Sequence, residues 1–448
     1  MARRIAALDI WMNGHYVGRW ERTRTGADSL VYAAEWVEAP EGRPLSLSLP
    51  FARSHGTDRA VPMRGAVVAA WFENLIPDNP RILRRLRDRY DAASTQAFDL
   101  LAAIGRDCAG AVQLVPADAA PGDAHRIVAE PLDEAGVARV LRDAVAGRAF
   151  EAADSDAFRL SIAGAQEKTA LLWHKDRWCI PRESTPSTHI FKLPLGLVGN
   201  VRADLGYSVE LEWLCMELAR ELGLPVARVE IGRFENQKVL IVERFDRRLA
   251  RTGRWWQRLP QEDCCQALGL PSSRRYEADR GPGIRAIMDL LRGSEQADED
   301  RRTFFRAQLL FWLLAATDGH AKNFSLHLLP GGAYRLTPLY DILSLWPILG
   351  SGARQIAPHK ARMAMAVEGK NRHYVWRDIH RWHWVAMAER LGLPEAPALV
   401  DALIEQTPRA LDRVGRRLPP RFPEPVFVAV ERGMRGAAKR LGAEPDRR

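Results

Sequence analysis

The sequence predicts an α+β fold in two parts, a β-rich amino-terminal half and a mostly helical carboxy-terminal half. Up to the run "KVLIVERFDRR", short apolar stretches bounded by turn residues recur, with only a few helical patterns between them. After it, longer stretches of helical periodicity take over. Strands and helices therefore fall in blocks instead of alternating, which argues against a doubly wound parallel sheet. At 448 residues the chain exceeds one simple core, so two or three domains are expected.

Composition narrows the class. Hydrophobic content of 47% and charged content of 27% are those of an ordinary globular protein. The longest clean apolar run, residues 309–316, is too short to span a bilayer, and Asp9 and Asn13 break any signal-like core. A soluble, cytoplasmic chain with no membrane association is expected. The five cysteines are odd in number and form no C-x-x-C pair, which fits a reducing compartment. Cys264 and Cys265 read as small buried hydrophobes. Net charge is +9, and residues 360–448 hold 18 Lys+Arg against 11 Asp+Glu. That basic end suits nucleic acid, an acidic protein or anionic substrates, but no helix-turn-helix or finger pattern supports base reading.

The elements follow in order. Residues 1–115 read as a small β-rich domain, opening with two strands around Asn13-Gly14. An apolar helix, a Pro-Asp-Asn-Pro break and a basic helix with Arg81, Arg84, Arg85, Arg87 and Arg89 follow, the arginines forming a solvated face. Residues 116–150 read as linker and connecting helix, with "ADAAPGDAHR" at 117–126 as the linker proper. In 151–258, "FRLSIAGAQEKTALLWHKDRWCIP" reads as strand, tight loop, strand, and "THIFKLP" as a short strand. "YSVELEWLCMELARELGLP" is an amphipathic helix with Leu211, Leu214, Leu218 and Leu222 on one face, ended by Gly223 and Pro225. In 259–448, helices are expected over 261–269, 283–292, 298–316, 376–392, 396–406 and 426–441.

The chemistry concentrates in "AATDGHAKNFSLHLL", residues 315–329, where Asp318, His320, Lys322 and Asn323 interrupt two apolar runs. Buried charge is costly unless paired, hydrogen-bonded or metal-bound, so this is a satisfied turn or a reaction centre. Asp318 and Asn323 have the spacing of a protein-kinase catalytic loop. Alone that spacing is common, but its surroundings come in the right order. Asp341 ends a later apolar run, Lys192 precedes on a strand, "SIAGAQEK" forms a small-residue loop before it, and "VLIVERF" could be a hinge. Together they predict a protein-kinase-like two-lobed core, with 151–258 as nucleotide-binding lobe and 259–448 as helical lobe. Each part has a plainer reading. Lys192 could snorkel, Asp341 could cap a helix, and His320 and Lys322 could satisfy buried carbonyls. "AGAQEK" is neither a P-loop nor G-x-G-x-x-G.

The motifs "LSIAGAQEKTALL", "STHIFKLPLG", "VERFDRR", "QEDCCQALG", "DGHAKNFS" and "LYDILS" together resemble the HipA family of bacterial toxin serine/threonine kinases, and "FENLIPDNPRI" resembles its small β-rich subdomain. The resemblance runs to about residue 390; the last fifty residues match no motif. It implies that Asp318 is the general base, that Asn323 and Asp341 hold Mg²⁺, and that Lys192 pairs with ATP phosphates. Ala163, Gly164, Ala165, Gln166, Glu167 and Lys168 would cover ATP, and Glu243, Arg244 and Phe245 would meet its adenine. His320, Ala321, Lys322 and Asn323 would continue the ATP contacts, Lys322 adding positive charge beside Asp318 and the phosphoryl group. Ser161 would be the autophosphorylated serine. The resemblance also implies a substrate in translation, such as an aminoacyl-tRNA synthetase, and a HipB-like helix-turn-helix antitoxin. Operator DNA would be reached through that complex, with Arg413, Arg416 and Arg417 on its phosphates. There is no D-F-G after the catalytic loop, and Glu210, Glu212 and Glu217 are all candidate partners of Lys192. Rival readings are a catalytically silent corepressor and a small-molecule kinase.

Overall fold

A computed structural model describes residues 7–23, 26–51, 61–146, 166–198 and 202–446. The amino-terminal domain is a five-stranded antiparallel sheet, β1 (Ala7–Met12), β2 (His15–Arg22), β3 (Asp28–Tyr32), β4 (Met63–Arg64) and β5 (Val112–Pro116), in order β4-β3-β2-β1-β5. Asn13 and Gly14 both take positive φ, the conformation a two-residue hairpin turn requires and that Asn and Gly tolerate best. Helices α1 (Ala34–Glu38), α2 (Ala66–Glu73), α3 (Pro80–Arg89) and α4 (Ala97–Ile104) join it, and Trp20 stacks on Phe72 at 3.8 Å in their shared core.

The second sheet has six antiparallel strands: β6 (Ala129–Pro131), β7 (Lys168–His174), β8 (Arg177–Pro181), β9 (His189–Lys192), β12 (Val229–Phe234) and β13 (Gln237–Glu243), in order β12-β13-β9-β7-β8-β6. Residues 116–150, read above as linker and connecting helix, supply β6 and helix α5 (Glu134–Ala146) to this lobe; Val137, Val140 and Leu141 fill its core. Between β9 and β12 come the hairpin β10 (Gly196–Val198) and β11 (Ala203–Leu205) and helix α6 (Ser208–Glu221).

The remainder is mainly helical: α7 (Cys264–Ala267), α8 (Ile284–Leu290), α9 (Ala297–Leu313), α10 (Arg381–Leu391), α11 (Ala396–Gly415) and α12 (Glu424–Ala443). Small antiparallel units interrupt it: β14 (Arg247–Leu249) with β15 (Trp256–Arg258), β16 (Gln261–Asp263) with β17 (Ser325–Leu328) and β18 (Tyr334–Leu336), and β19 (Arg362–Glu368) with β20 (Arg372–Val375). The helix expected over 261–269 is thus a strand followed by one helical turn. Gln261, Glu262 and Asp263 pair with β17, and Asp263 then caps α7 by accepting from the Gln266 N–H at 2.9 Å. The helix expected from 376 starts only at Arg381, after a single 3₁₀ turn at Trp376–Asp378. All five cysteines are free and buried. Among the described residues no helix is long and apolar enough to cross a membrane.

The amino-terminal domain is stitched to both lobes. Glu262 accepts from the Leu47 N–H at 2.9 Å, Gln266 donates to the Trp71 carbonyl at 3.0 Å, and the Gly110 N–H donates to Asp246 at 2.7 Å. A buried charge cluster forms the densest seam. Asp107 of the amino-terminal domain accepts from Arg247 at 2.9 Å and from the Ser187 N–H at 3.0 Å, while Arg244 clasps Asp246 with two bonds of 3.0 and 2.8 Å. Arg258 lies 3.7 Å from the same Asp107. On the far side, Arg413 and Arg417 both bind Glu221, at 2.7 and 2.6 Å, so two of the three arginines expected to face DNA hold α11 to α6.

Candidate active site

The catalytic-loop stretch leaves the carboxy end of α9. Ala315 takes positive φ to turn the chain, and Gly319 lies where a Cβ would meet the Phe311 ring at 2.3 Å. The backbone then tightens: His320 N–H donates to the Asp318 carbonyl at 2.8 Å and Asn323 N–H to the His320 carbonyl at 2.9 Å. Ala321–Asn323 is one 3₁₀ turn, leading directly into β17. Asp318 is thereby exposed at the mouth of a cavity while Asn323 is buried inside it.

That cavity lies between the six-stranded sheet and the helical part. Lys168, Lys192, Glu243, Arg244, Phe245, Asp318, His320, Lys322, Asn323 and Asp341 all line it. Lys192, at the end of β9, bonds Glu212 of α6 at 2.6 Å and Asp341 at 2.9 Å. Of the three candidate glutamates it is therefore Glu212 that meets Lys192; Glu210 bonds Lys238 instead, at 2.6 Å. Burial raises the Glu212 carboxyl to about 7, against the pull of Lys192. Burial would also raise Asp341, but Lys192 and Lys168 outweigh it and hold it at about 2, an anion at any physiological pH. Asp341 lines the cleft with its side chain 46% exposed. Its φ of +60° is a left-handed conformation that a non-glycine residue adopts at some cost, a kind of strain concentrated at functional sites. Lys168 is paired in register with Lys192 across β7 and β9, and burial with that like charge lowers it to about 8.

Asn323 offers the test for a cation. Its Nδ2 donates to the Asp341 carbonyl at 3.3 Å, which sets the two residues side by side, and its Oδ1 is buried with no partner among the described residues. An orphaned amide oxygen beside an ionised carboxylate is a donor pair that suits a hard cation such as Mg²⁺. Among the described residues no cluster of three His, Cys, Asp or Glu groups forms a protein-only metal cage. Mg²⁺ does not need one, because it keeps water and phosphate oxygens as ligands.

Other expectations change. Lys322 is not free for a phosphate. Its Nζ donates to the Asn74 carbonyl at 3.0 Å, the Asn74 side-chain oxygen at 2.7 Å and Asp263 at 3.0 Å, which uses all three of its N–H groups. Burial pushes His320 below its ordinary range, so it faces the cavity as a neutral ring and brings no positive charge. The Arg244 guanidinium is turned into the Asp107–Asp246 cluster, leaving its backbone at the cavity. At that hinge the Glu243 and Arg244 N–H groups bond the Arg228 and Thr188 carbonyls, both at 2.9 Å, whereas the Phe245 N–H makes no bond among the described residues. Gln166 and Glu167 do not line the cavity: Gln166 donates to the Leu193 carbonyl at 2.5 Å, and Glu167 pairs with Arg85 of α3. Ala321 is fully buried beneath the loop. Ser161, Ala163, Gly164 and Ala165 lie outside the described residues.

Three residues not assigned to the site from the sequence join it. Asp78, from the Pro-Asp-Asn-Pro break, lies 3.5 Å from Arg275, and the Tyr276 hydroxyl donates to Asp318 Oδ1 at 2.5 Å. Their partners lie far away in sequence, beyond the reach of any local pattern.

A buried Lys–Glu pair, a D-x-x-x-x-N loop and a later aspartate, gathered between a sheet and a helical lobe, define a protein-kinase-like phosphotransferase. The chain belongs to the HipA family. The family model described as HipA N-terminal domain matches residues 8–115, and that described as HipA-like C-terminal domain matches residues 160–413. Y4mE of Sinorhizobium fredii is 32% identical over 416 residues, 92% of each chain. The serine/threonine-protein kinase toxin HipA of Shewanella oneidensis is 28% identical over 409 residues, 89% of this chain and 84% of that protein. A solved structure of Shewanella oneidensis HipA with HipB and operator DNA superposes with a TM-score of 0.77 at 24% identity, covering 97% of both chains.

Proposed function

We propose that this protein transfers the γ-phosphoryl group of ATP to serine or threonine hydroxyls, in a complex with a helix-turn-helix antitoxin, as the toxin of a toxin–antitoxin pair. One observation carries the reading: the orphaned Asn323 Oδ1 and the Asp341 carboxylate open on the cavity that also holds Lys192–Glu212 and Asp318. Asn323 and Asp341 would hold Mg²⁺, which when bound neutralises phosphate charge. Lys192 would turn from Asp341 toward the nucleotide while Glu212 keeps it oriented. The unpaired Phe245 N–H would meet the adenine edge. Asp318, exposed at the mouth, would orient the acceptor hydroxyl and take its proton. Autophosphorylation at Ser161 and a translation protein as target, such as an aminoacyl-tRNA synthetase, complete the proposal. The Shewanella oneidensis structure with HipB and operator DNA supports the antitoxin partner.

The test is to incubate wild type and Asp318→Ala with labelled ATP and Mg²⁺, starting from phosphatase-treated protein, and to map the label. Label on Ser161 in wild type alone is the expected result. No label in either would overturn the catalytic reading in favour of a silent corepressor.

A further inference from the structure

Asp318 has one side-chain hydrogen bond among the described residues, and it comes from Tyr276. Tyr276 is firmly seated. Its ring meets His320 edge-on at 4.9 Å, and the Arg275 guanidinium lies over the ring, 5.1 Å from its centre. Arg275 is itself held from two directions: its side chain faces Asp78 at 3.5 Å, and its carbonyl accepts from the Ala321 N–H at 3.1 Å. Three residues earlier in that segment, Ser272 donates to Glu73 of α2 at 3.0 Å. After Tyr276 the chain doubles back, with the Gly281 N–H on the Tyr276 carbonyl at 2.9 Å. A side chain at Gly281 would stand 1.9 Å from the Arg274 carbonyl. The amino-terminal domain thus holds 272–276 and, through it, the hydroxyl on the base.

We propose that Tyr276 is the positioning residue of the acceptor step: its hydroxyl fixes Oδ1 of Asp318 so that Oδ2 is presented to the incoming serine or threonine hydroxyl. The inference rests on the reading of Asp318 as base. In the step, the acceptor oxygen bonds to the γ-phosphorus, the bond from that phosphorus to the ADP oxygen breaks, and the acceptor proton passes to Oδ2. A carboxylate free to rotate would offer the correct oxygen in the correct direction only part of the time, and small misplacements at a reacting centre are costly. Burial and the neighbouring Asp318 raise the Tyr276 phenol above its ordinary range, so at neutral pH it keeps the proton it donates.

The experiment compares full-length wild type, Asp318→Ala and Tyr276→Phe under Mg·ATP, reading kcat, the KM for ATP and Tm. Tyr276→Phe keeps the ring packing and removes only the hydroxyl. The expected result is a kcat lower by about tenfold or more, with KM for ATP and Tm unchanged. A Tyr276→Phe protein as fast as wild type, or faster because the hydroxyl had been plugging the base, overturns the inference alone. So does a fall in Tm with kcat and KM both impaired, which would assign the hydroxyl to packing. Wild type without transfer, or Asp318→Ala with it, overturns the reading of the site and this inference with it.

Discussion

Replacing Lys322 with methionine separates two roles for a lysine in the catalytic loop. The aliphatic length is kept and the ammonium is lost. Asp263 Oδ2 and both Asn74 acceptors then lose their donor in a place where Lys322 is 7% and Asp263 8% exposed. Removing one partner of a buried ion pair costs about 3–5 kcal/mol, because the remaining charge stays desolvated. Asp263 keeps its Gln266 bond, which argues for the lower part of that range. At about 2.1 cal/mol/K per residue, the 254 residues of the HipA-like C-terminal domain have an unfolding entropy of about 0.5 kcal/mol/K. A loss of about 3 kcal/mol therefore lowers Tm by about 6 °C if that domain unfolds alone, or about 3 °C if the whole chain unfolds together. The assay is a thermal melt alongside the KM for ATP. Lys322→Met is expected to lower Tm by this amount while leaving the KM of the surviving folded enzyme within about twofold. A variant with unchanged Tm and a KM raised tenfold or more would refute the reasoning and return Lys322 to the phosphates.

Further outcomes follow from the same seams. Asp107→Ala leaves the buried Arg244 and Arg247 with Asp246 alone and takes from Arg258 its one carboxylate neighbour among the described residues, and should cost about 3–5 kcal/mol in urea unfolding, where an exposed aspartate would cost almost nothing. Burial pushes Glu262 up to about 8, so the folded protein keeps a proton that the unfolded chain releases above its ordinary value of 4.5. Stability is then fullest below that value and falls by about 5 kcal/mol in all as pH rises through 8; Glu262→Gln should flatten this slope in melts from pH 5 to 9. Glu212→Gln should raise the KM for ATP severalfold, because Lys192 would then be held by Asp341 alone; an unchanged KM would show that Lys192 needs no orienting partner.

The parts of the site readable in the sequence were those that local spacing carries. Asp318 and Asn323 share one loop, and the apolar run before Lys192 marked where β9 ends, whereas β18 stops at Leu336, five residues before Asp341. The helix at Ser208–Glu221 was readable because its leucines repeat at helical spacing and Gly223 follows. Partners lying far away in the chain were not readable. Lys322 looked like a phosphate ligand because Asn74, 248 residues earlier, gives no local sign of reaching it. Glu212 could not be told from Glu210 and Glu217, since the choice depends on which helical face turns toward β9. Gln261–Asp263 looked helical because strand pairing with β17 overrides local preference. Within 116–150, read as linker and connecting helix, the helix is α5, but β6 gave no signal because it is three residues long and is a strand only by pairing with β8.

The central claim is that one cleft holds a nucleotide, its metal and the base in a fixed order. The most direct measurement is a crystal structure with a non-hydrolysable ATP analogue and Mn²⁺ in place of Mg²⁺, read by the anomalous signal of manganese. The expected result is a peak about 2.1 Å from Asn323 Oδ1 and from an Asp341 oxygen, with adenine against the Phe245 N–H and the terminal phosphate facing Asp318. Manganese bound elsewhere, or a nucleotide lying outside the cavity between Lys192 and Asp318, would contradict it.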